Sequence, residues 1–317
     1  MNETNYRNQK IIDSAISSLK TLIDPDLLQA IEERLRITNR FWPSELFFRI
    51  TNSFGNNFSE SSLRIASAIE IFHLYTLIHD DIVDTHKTRW NKPSLYSEFG
   101  TETALFCGDI LLSLGHLILS RLPTELSLKF MRSYAELSTH VAQGQMLDWK
   151  ISKQSFVTEH DYFRIAELKA AAGILAANLA IDFLGLNKVA SEKIKCFASY
   201  CGVSSQIAND IAELSGLRGF QEPYLQKRGM SEFRLGRKTI FHIYLTKHDK
   251  KKGRIISEKL HNPNEPINFL HKQEMLDYAI STYRKELSLA QAEISSFNCS
   301  NDLKPLLEYL SKLSKLG

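Results

Sequence analysis

The chain has 317 residues, of which 43% are hydrophobic and 24% charged, enough apolar material to bury a full core. A net charge of only +3 excludes a general nucleic-acid surface. Only 8 prolines interrupt repeated Ala, Leu and Ile segments at helical spacing, and alternating β-branched runs are few, so an all-α protein is expected. No linker divides the sequence, and residues 1–317 are read as one domain.

In chain order, the opening Met1-Asn2-Glu3-Thr4-Asn5 is polar and lacks a hydrophobic signal core. No stretch reaches about 18 uninterrupted apolar residues, so no integral membrane segment is expected and a cytoplasmic location is. The apolar run from Ile69 to Ile78 ends in His79-Asp80-Asp81-Ile82-Val83-Asp84. On a helix Asp80 and Asp84 fall one turn apart, with Asp81 beside them. Three carboxylates on one turn repel one another by roughly 1 kcal/mol per pair even in water, so a neutralising cation is expected. Oxygen ligands alone point to magnesium, which keeps waters and commonly bridges to phosphates.

Residues Asp161 to Leu184, rich in alanine, predict one tightly packed central helix, and Lys169 inside it needs a buried anion or an exit to solvent. Cys107, Cys196, Cys201 and Cys299 have no metal-ligand pairing and are read as reduced core thiols. Gln206, Asn209, Asp210 and Glu213 stand at i, i+3, i+4 and i+7, a polar stripe in an otherwise apolar helix. Ser215 to Leu235 is polar and glycine-broken, either a lid or a plain surface loop, and the basic run Lys247 to Arg254 is read as a solvated loop.

These segments, in this order, resemble the trans-isoprenyl diphosphate synthases, or polyprenyl synthetases. The resemblance runs from about Ile31 to Leu245. It rests on Glu70 and His73 leading to Asp80-Asp81 and Asp84; Arg89 and Lys92-Pro93; Gly108-Asp109; Gly144-Gln145 with Asp148; Lys169; Gln206 with Asn209 to Glu213; and Gly236-Arg237-Lys238-Thr239. It implies the class I isoprenoid-synthase bundle of helices around a central cavity, and a homodimer. It also implies three magnesium ions on the diphosphate of an allylic prenyl substrate, whose carbon–oxygen bond ionises. By position, Asp80 and Asp84, with Asp81 as a further catalytic carboxylate, and Asn209, Asp210 and Glu213 are the metal ligands. Asn209 and Glu213 replace the usual aspartates but keep oxygen donors. Arg89, Lys169, Gln206, Arg237 and Lys238 are the expected diphosphate contacts. Tyr75, at the fifth position before the motif, with Thr76 beside it, is expected to limit the hydrocarbon to about C15–C20.

The chain also departs from that pattern. Where extending members carry Gly-Gly-Lys-Arg-x-Arg-Pro, it reads Ile37-Thr38-Asn39-Arg40-Phe41-Trp42-Pro43, and the paired arginines after the acidic motif become Arg89-Trp90. Of the contacts to the diphosphate of the acceptor, isopentenyl diphosphate, only His73 remains. Each charge-assisted contact contributes on the order of 1.5–3 kcal/mol, so losing three weakens acceptor binding by roughly 5 kcal/mol. The expectation is therefore an enzyme that ionises an allylic diphosphate and either cyclises or quenches the cation, as a terpene synthase does, or passes it to a peptide or aromatic acceptor. Phe72, Tyr75 and Trp90 are candidates for cation–π stabilisation. Two alternatives stand beside it. One is a conventional short-chain synthase of farnesyl or geranylgeranyl diphosphate; the other is a non-catalytic partner subunit, against which the intact Asp80, Asp81 and Asp84 speak.

Overall fold

The computed structural model describes residues 3–37, 41–56, 58–90, 92–154, 157–215, 236–248, 269–297, 304–306 and 308. Their regular structure is helical apart from one hairpin of two two-residue strands, in agreement with the all-α expectation. Packing divides the chain into two units: Met1–Ser138 with Ala172–Lys195 and Phe297–Leu306, and Thr139–Ala171 with Cys196–Ser296 and Leu307–Gly317.

The first unit contains α1 (Glu3–Leu19), α2 (Pro25–Ile37), α3 (Trp42–Ser53), α4 (Glu60–Val83), the β1–β2 hairpin (Thr88–Arg89 and Lys92–Pro93), α5 (Leu95–Phe99) and α6 (Thr101–Ser120). It also takes the first part of α7 (Thr124–Ser152) and most of α9 (Ala171–Leu184). The central element of this unit is α4. Ser59 caps it, accepting from the Ser62 backbone N–H while the Ser62 hydroxyl accepts from the Ser59 N–H, so two orphan donors are satisfied reciprocally. Beyond that cap Ile65, Ala66, Ala68, Ile69, Ile71 and Phe72 are all fully buried, which places apolar residues around the whole helix rather than on one stripe.

Its principal neighbour is α6, and two glycines let the helices and side chains approach. A Cβ on Gly108 would stand 2.1 Å from His79 Nε2, and one on Gly115 would stand 2.1 Å from the Tyr134 hydroxyl. By length and composition α6 is apolar enough to cross a membrane. It gives Cys107, Leu111, Leu114, Ile118 and Leu119 to the core, while Leu105 and Phe106 stay exposed.

The second unit contains the end of α7, then α8 (Glu159–Lys169), most of α10 (Lys188–Ser215), α11 (Ile240–His248) and α12 (Phe269–Ser295). The single helix expected over Asp161–Leu184 is broken at Ala170 into α8 and α9. There the Ala170 N–H is shared between the carbonyls of Ala166 and Glu167, which tightens the last turn of α8 and ends it. Ala170 also seats against Gly202, where a Cβ would stand only 2.3 Å from the alanine's own. The free thiols Cys107 and Cys201 are buried, as expected, and burial pushes the Cys107 pKa up to about 11. Cys196 is half-buried, and Cys299 lies outside the described residues. The segments 216–235 and 249–268, with the lid-or-loop and much of the basic run, also lie outside them.

Candidate active site

In the first unit the last turn of α4 carries Asp80 and Asp81, with Asp84 as its C-cap. The helix ends in a paired capping motif: the Thr85 N–H donates to Ile82 O and the His86 N–H to Asp81 O at 2.9 Å. Thr85 takes the left-handed conformation this requires, with φ +53°, where glycine is usual; for a β-branched residue this costs on the order of 1 kcal/mol. The turn brings the chain back over the helix end, so that His86 Nδ1 lies 3.6 Å from Asp81 Oδ1. Ligand atoms of Asp80, Asp84 and His86 lie within 4.8 Å of one another.

Asp81 is engaged by Arg89 of β1. The guanidinium donates from Nε at 2.9 and 2.8 Å to the two carboxylate oxygens and from a terminal nitrogen at 2.6 Å, and stands 3.6 Å from Asp80. Burial lowers the arginine pKa, but the hydrogen bond to Asp81 and the charges of Asp81, Asp80 and Asp84 outweigh it and raise the net value. The hairpin holds Arg89 in place by pairing it with Lys92, and Trp90 at its turn has φ +51°. A small cavity beside the pair is lined by Arg34, Ile78, Asp81, Arg89, Trp90 and Pro93. Arg34 donates to Pro93 O and pairs with Glu98.

One to three turns up α4, Tyr75 is buried between Phe72 and His79, edge-on to both, at 5.2 and 5.8 Å. Burial pushes its phenol pKa up, against a hydrogen bond to Ser138. Thr76 donates to His73 O. Glu70, 2% exposed, accepts from the Ser44 N–H at 2.9 Å and so caps the N-terminus of α3 from a distance. The Trp42 indole stands edge-on to His73 at 5.6 Å and lies on Gly173, where a Cβ would come within 3.0 Å.

In the second unit Lys169 donates to Asp148 Oδ2 at 3.0 Å, and Arg237 stands 3.6 Å from the same oxygen. Gly144 permits this approach of α7 to α8, since a Cβ there would be 2.8 Å from Leu168 Cβ. Lys238 is buried, and desolvation lowers its ammonium pKa. Asp210, 1% exposed, accepts from the Tyr162 hydroxyl at 2.7 Å, the Ile240 N–H at 2.8 Å and Gln206 Nε2 at 3.3 Å. It therefore caps α11 and fixes the segment that carries Arg237 and Lys238. Asn209 is half-buried, while Glu213 lies on α10 with its side chain outside the described residues.

The first unit thus brings Asp80, Asp81, Asp84 and Arg89 together, and the second brings Lys169 to Arg237 and Gln206 to Asp210. Sequence reasoning missed His86, Tyr162 and the counter-ion role of Asp148. For His86 the motif gave no warning, because Thr85 is not a residue that announces a left-handed turn.

Residues 40–277 match the sequence model of the polyprenyl synthetase family. The chain is 26% identical to a geranylgeranyl diphosphate synthase of Sulfolobus acidocaldarius, over 98% of this chain and 97% of the relative. It is 27% identical to a geranylfarnesyl diphosphate synthase of Methanosarcina mazei, over 82% and 85% of the two. Among solved structures, a heptaprenyl diphosphate synthase from Staphylococcus aureus superposes with a TM-score of 0.80 at 22% identity, covering 98% of both chains. The geranylgeranyl pyrophosphate synthetase of Geoglobus acetivorans gives 0.78 at 20% identity, over 98% of this chain and 99% of that one.

Relatives named as prenyl diphosphate synthases overturn the expectation of a terpene synthase or of transfer to a peptide or aromatic acceptor. That expectation summed lost charges at Asn39, Trp42 and Trp90 as if each had stood alone against a bare pocket. Trp42 instead packs on Gly173 and against His73, and Trp90 is fixed on the hairpin turn beside Arg89. Asn39 lies outside the described residues.

Proposed function

The chain belongs to the polyprenyl synthetase family, and from that premise we propose that it is a short-chain trans-prenyl diphosphate synthase that extends an allylic diphosphate with isopentenyl diphosphate. The observation that carries this reading is the near end-to-end similarity to a geranylgeranyl diphosphate synthase. In the reaction the allylic carbon–oxygen bond breaks and pyrophosphate leaves with the bonding pair. The double bond of isopentenyl diphosphate then closes on the cation, and a proton is lost.

Asp80 and Asp84, with Asn209 and Glu213, are the proposed magnesium ligands, three ions in all, and bound magnesium would neutralise the charge that develops on departing pyrophosphate. The Asp80 and Asp84 carboxylates fit such an ion by the chemistry of their oxygen donors, which lie within 4.8 Å of each other on the one turn. Asp81 keeps Arg89 aimed, and Asp210 keeps Arg237 and Lys238 in place. Arg89, Lys169, Gln206, Arg237 and Lys238 contact the allylic diphosphate. Asp148 serves as the resting counter-ion of Lys169 and Arg237 until diphosphate takes its place. An anion would favour the charged form of Lys238, which desolvation penalises. His73 and Arg40 serve the acceptor diphosphate.

Residues 1–317 are read as one catalytic domain, a reading supported by a family match over residues 40–277. Self-association is part of the same reading, supported by exposed Leu105, Phe106 and Leu128, which are 43%, 60% and 63% exposed. Incorporation of labelled isopentenyl diphosphate, with farnesyl diphosphate and magnesium, tests the proposal. Acid-labile product should form and fall by at least about a hundredfold in Asp80→Ala, as for loss of a charge-stabilising group in the transition state. A wild-type protein that incorporates no label under any allylic primer would sink it.

A further inference from the structure

We propose that Arg34, on α2 and outside every motif of the site, is a positioning residue for prenyl transfer: it braces the β1–β2 hairpin so that Arg89 stands where it can meet the allylic diphosphate. The inference rests on the reading of Arg89 as a diphosphate contact, and gives Arg34 itself no contact with substrate.

Three observations carry it. The first is the double grip of Arg34, whose side chain is only 9% exposed. One terminal nitrogen donates to Pro93 O at 2.9 Å, and the other pairs with the Glu98 carboxylate on α5. Pro93 is the register partner of Thr88, the residue directly before Arg89, and α5 starts at Leu95. Arg34 thereby holds β2 both by its own carbonyl and by the helix that follows it. The second is that the hairpin is too short to hold itself. It pairs Thr88 with Pro93 and Arg89 with Lys92, and the Ser94 N–H closes its base on Lys87 O at 2.9 Å; a lone two-stranded ribbon of that length is not stable in water. Its turn also sets Trp90 at φ +51°, a conformation that a residue other than glycine keeps only where its surroundings impose it. The third is space: Arg34, Arg89 and Trp90 line one small cavity with Leu74 and Ile78, so loss of the grip leaves room for the hairpin to settle.

The division of labour sets the expected effect. Asp81 orients the Arg89 guanidinium, whereas the hairpin fixes the backbone from which that side chain reaches. Arg34→Met keeps an apolar stem for the cavity and removes both donors. A diphosphate contact that is made before and during the reaction shows its loss in binding rather than in turnover. Misplacing a positioned group by about 1 Å costs up to about a hundredfold, so the KM for the allylic diphosphate should rise by about tenfold. The turnover number should change by less than about twofold, and the KM for isopentenyl diphosphate should stay as it is.

The test is steady-state prenyl transfer by the full-length protein, with farnesyl and isopentenyl diphosphate varied in turn, for wild type, Arg34→Met and Arg34→Lys. Lysine keeps a charge but lacks the planar fork that spans Pro93 O and Glu98, so Arg34→Lys should raise the allylic KM by about threefold; it carries the test if the methionine variant misfolds. A merely structural role would lower the active fraction, and so the turnover number, with a wild-type allylic KM. That result overturns the inference, and so does an equal rise in both KM values. In an Arg89→Lys background, Arg34→Met should add less than about twofold to the allylic KM, since both changes act through one side chain. A full tenfold rise there overturns the inference as well. A wild type that transfers no prenyl group removes the enzyme reading and this inference together, whereas an active wild type with an unaltered Arg34→Met variant removes the inference alone.

Discussion

At the residue scale the site is organised by buried ion pairs and a long-range cap, and these carry direct stability consequences. Arg89 is the partner of Asp81, which is 3% exposed. Arg89→Ala leaves that carboxylate buried and unpaired, which should cost about 3 kcal/mol, read from urea unfolding, together with a loss of turnover. Glu70 caps α3 through the Ser44 N–H. Glu70→Ala should cost about 1–2 kcal/mol, whereas Glu70→Gln, which keeps a carbonyl acceptor, should cost less than half of that. If the alanine and glutamine variants unfold alike, the cap is not what Glu70 contributes. The grouping of Asp80, Asp81 and Asp84 on one helix turn was legible in the sequence because helical spacing dictates it. The partners of Asp81 and Asp210 were harder to read. Arg89 was marked as a phosphate contact, and nothing at Tyr162 signals that its hydroxyl ends on a carboxylate 48 positions away.

Among the elements, α4 and α6 set the positions of everything on the acidic turn. Tyr134 of α7 is fully buried with its hydroxyl unpartnered, seated over Gly115 of α6. Tyr134→Phe should therefore leave stability unchanged or raise it by up to about 1 kcal/mol, since a buried hydroxyl without a partner is a cost. Gly115→Ala should lower stability by about 2 kcal/mol, because the added methyl meets the ring in a packed core. Thermal unfolding of the two variants decides both. Tyr75 lies on the same helix, between Phe72 and His79. Tyr75→Ala should shift product length upward by one or more five-carbon units, read by mass spectrometry; an unchanged distribution would remove Tyr75 as the stop. Helix existence was readable from the apolar periodicity, but the break at Ala170 was not, because an alanine-rich run gives no local signal to stop. What ends α8 is tertiary: the seat of Ala170 against Gly202 and the tightened last turn.

For the whole molecule, fold class and family were legible because ordered motifs over more than half the chain constrain topology far more than any one of them. Chemistry was misjudged at the acceptor end. Three substitutions were treated as independent subtractions, although neighbouring side chains repack around each replacement, as Trp42 does on Gly173. The exposed apolar residues of α6 belong to this scale too. If Phe106 lies at an interface between copies, Phe106→Glu should convert the assembly to monomers in sedimentation while leaving the fold intact by circular dichroism. A wild-type monomer at micromolar concentration would remove the interface.

The most direct test of the account is to incubate the purified protein with magnesium and farnesyl diphosphate, with and without isopentenyl diphosphate, and identify products by mass spectrometry. The account predicts pyrophosphate release coupled to consumption of isopentenyl diphosphate, and a diphosphate product longer by five carbons. Pyrophosphate release at the same rate without isopentenyl diphosphate, with a hydrocarbon or alcohol as product, would contradict it.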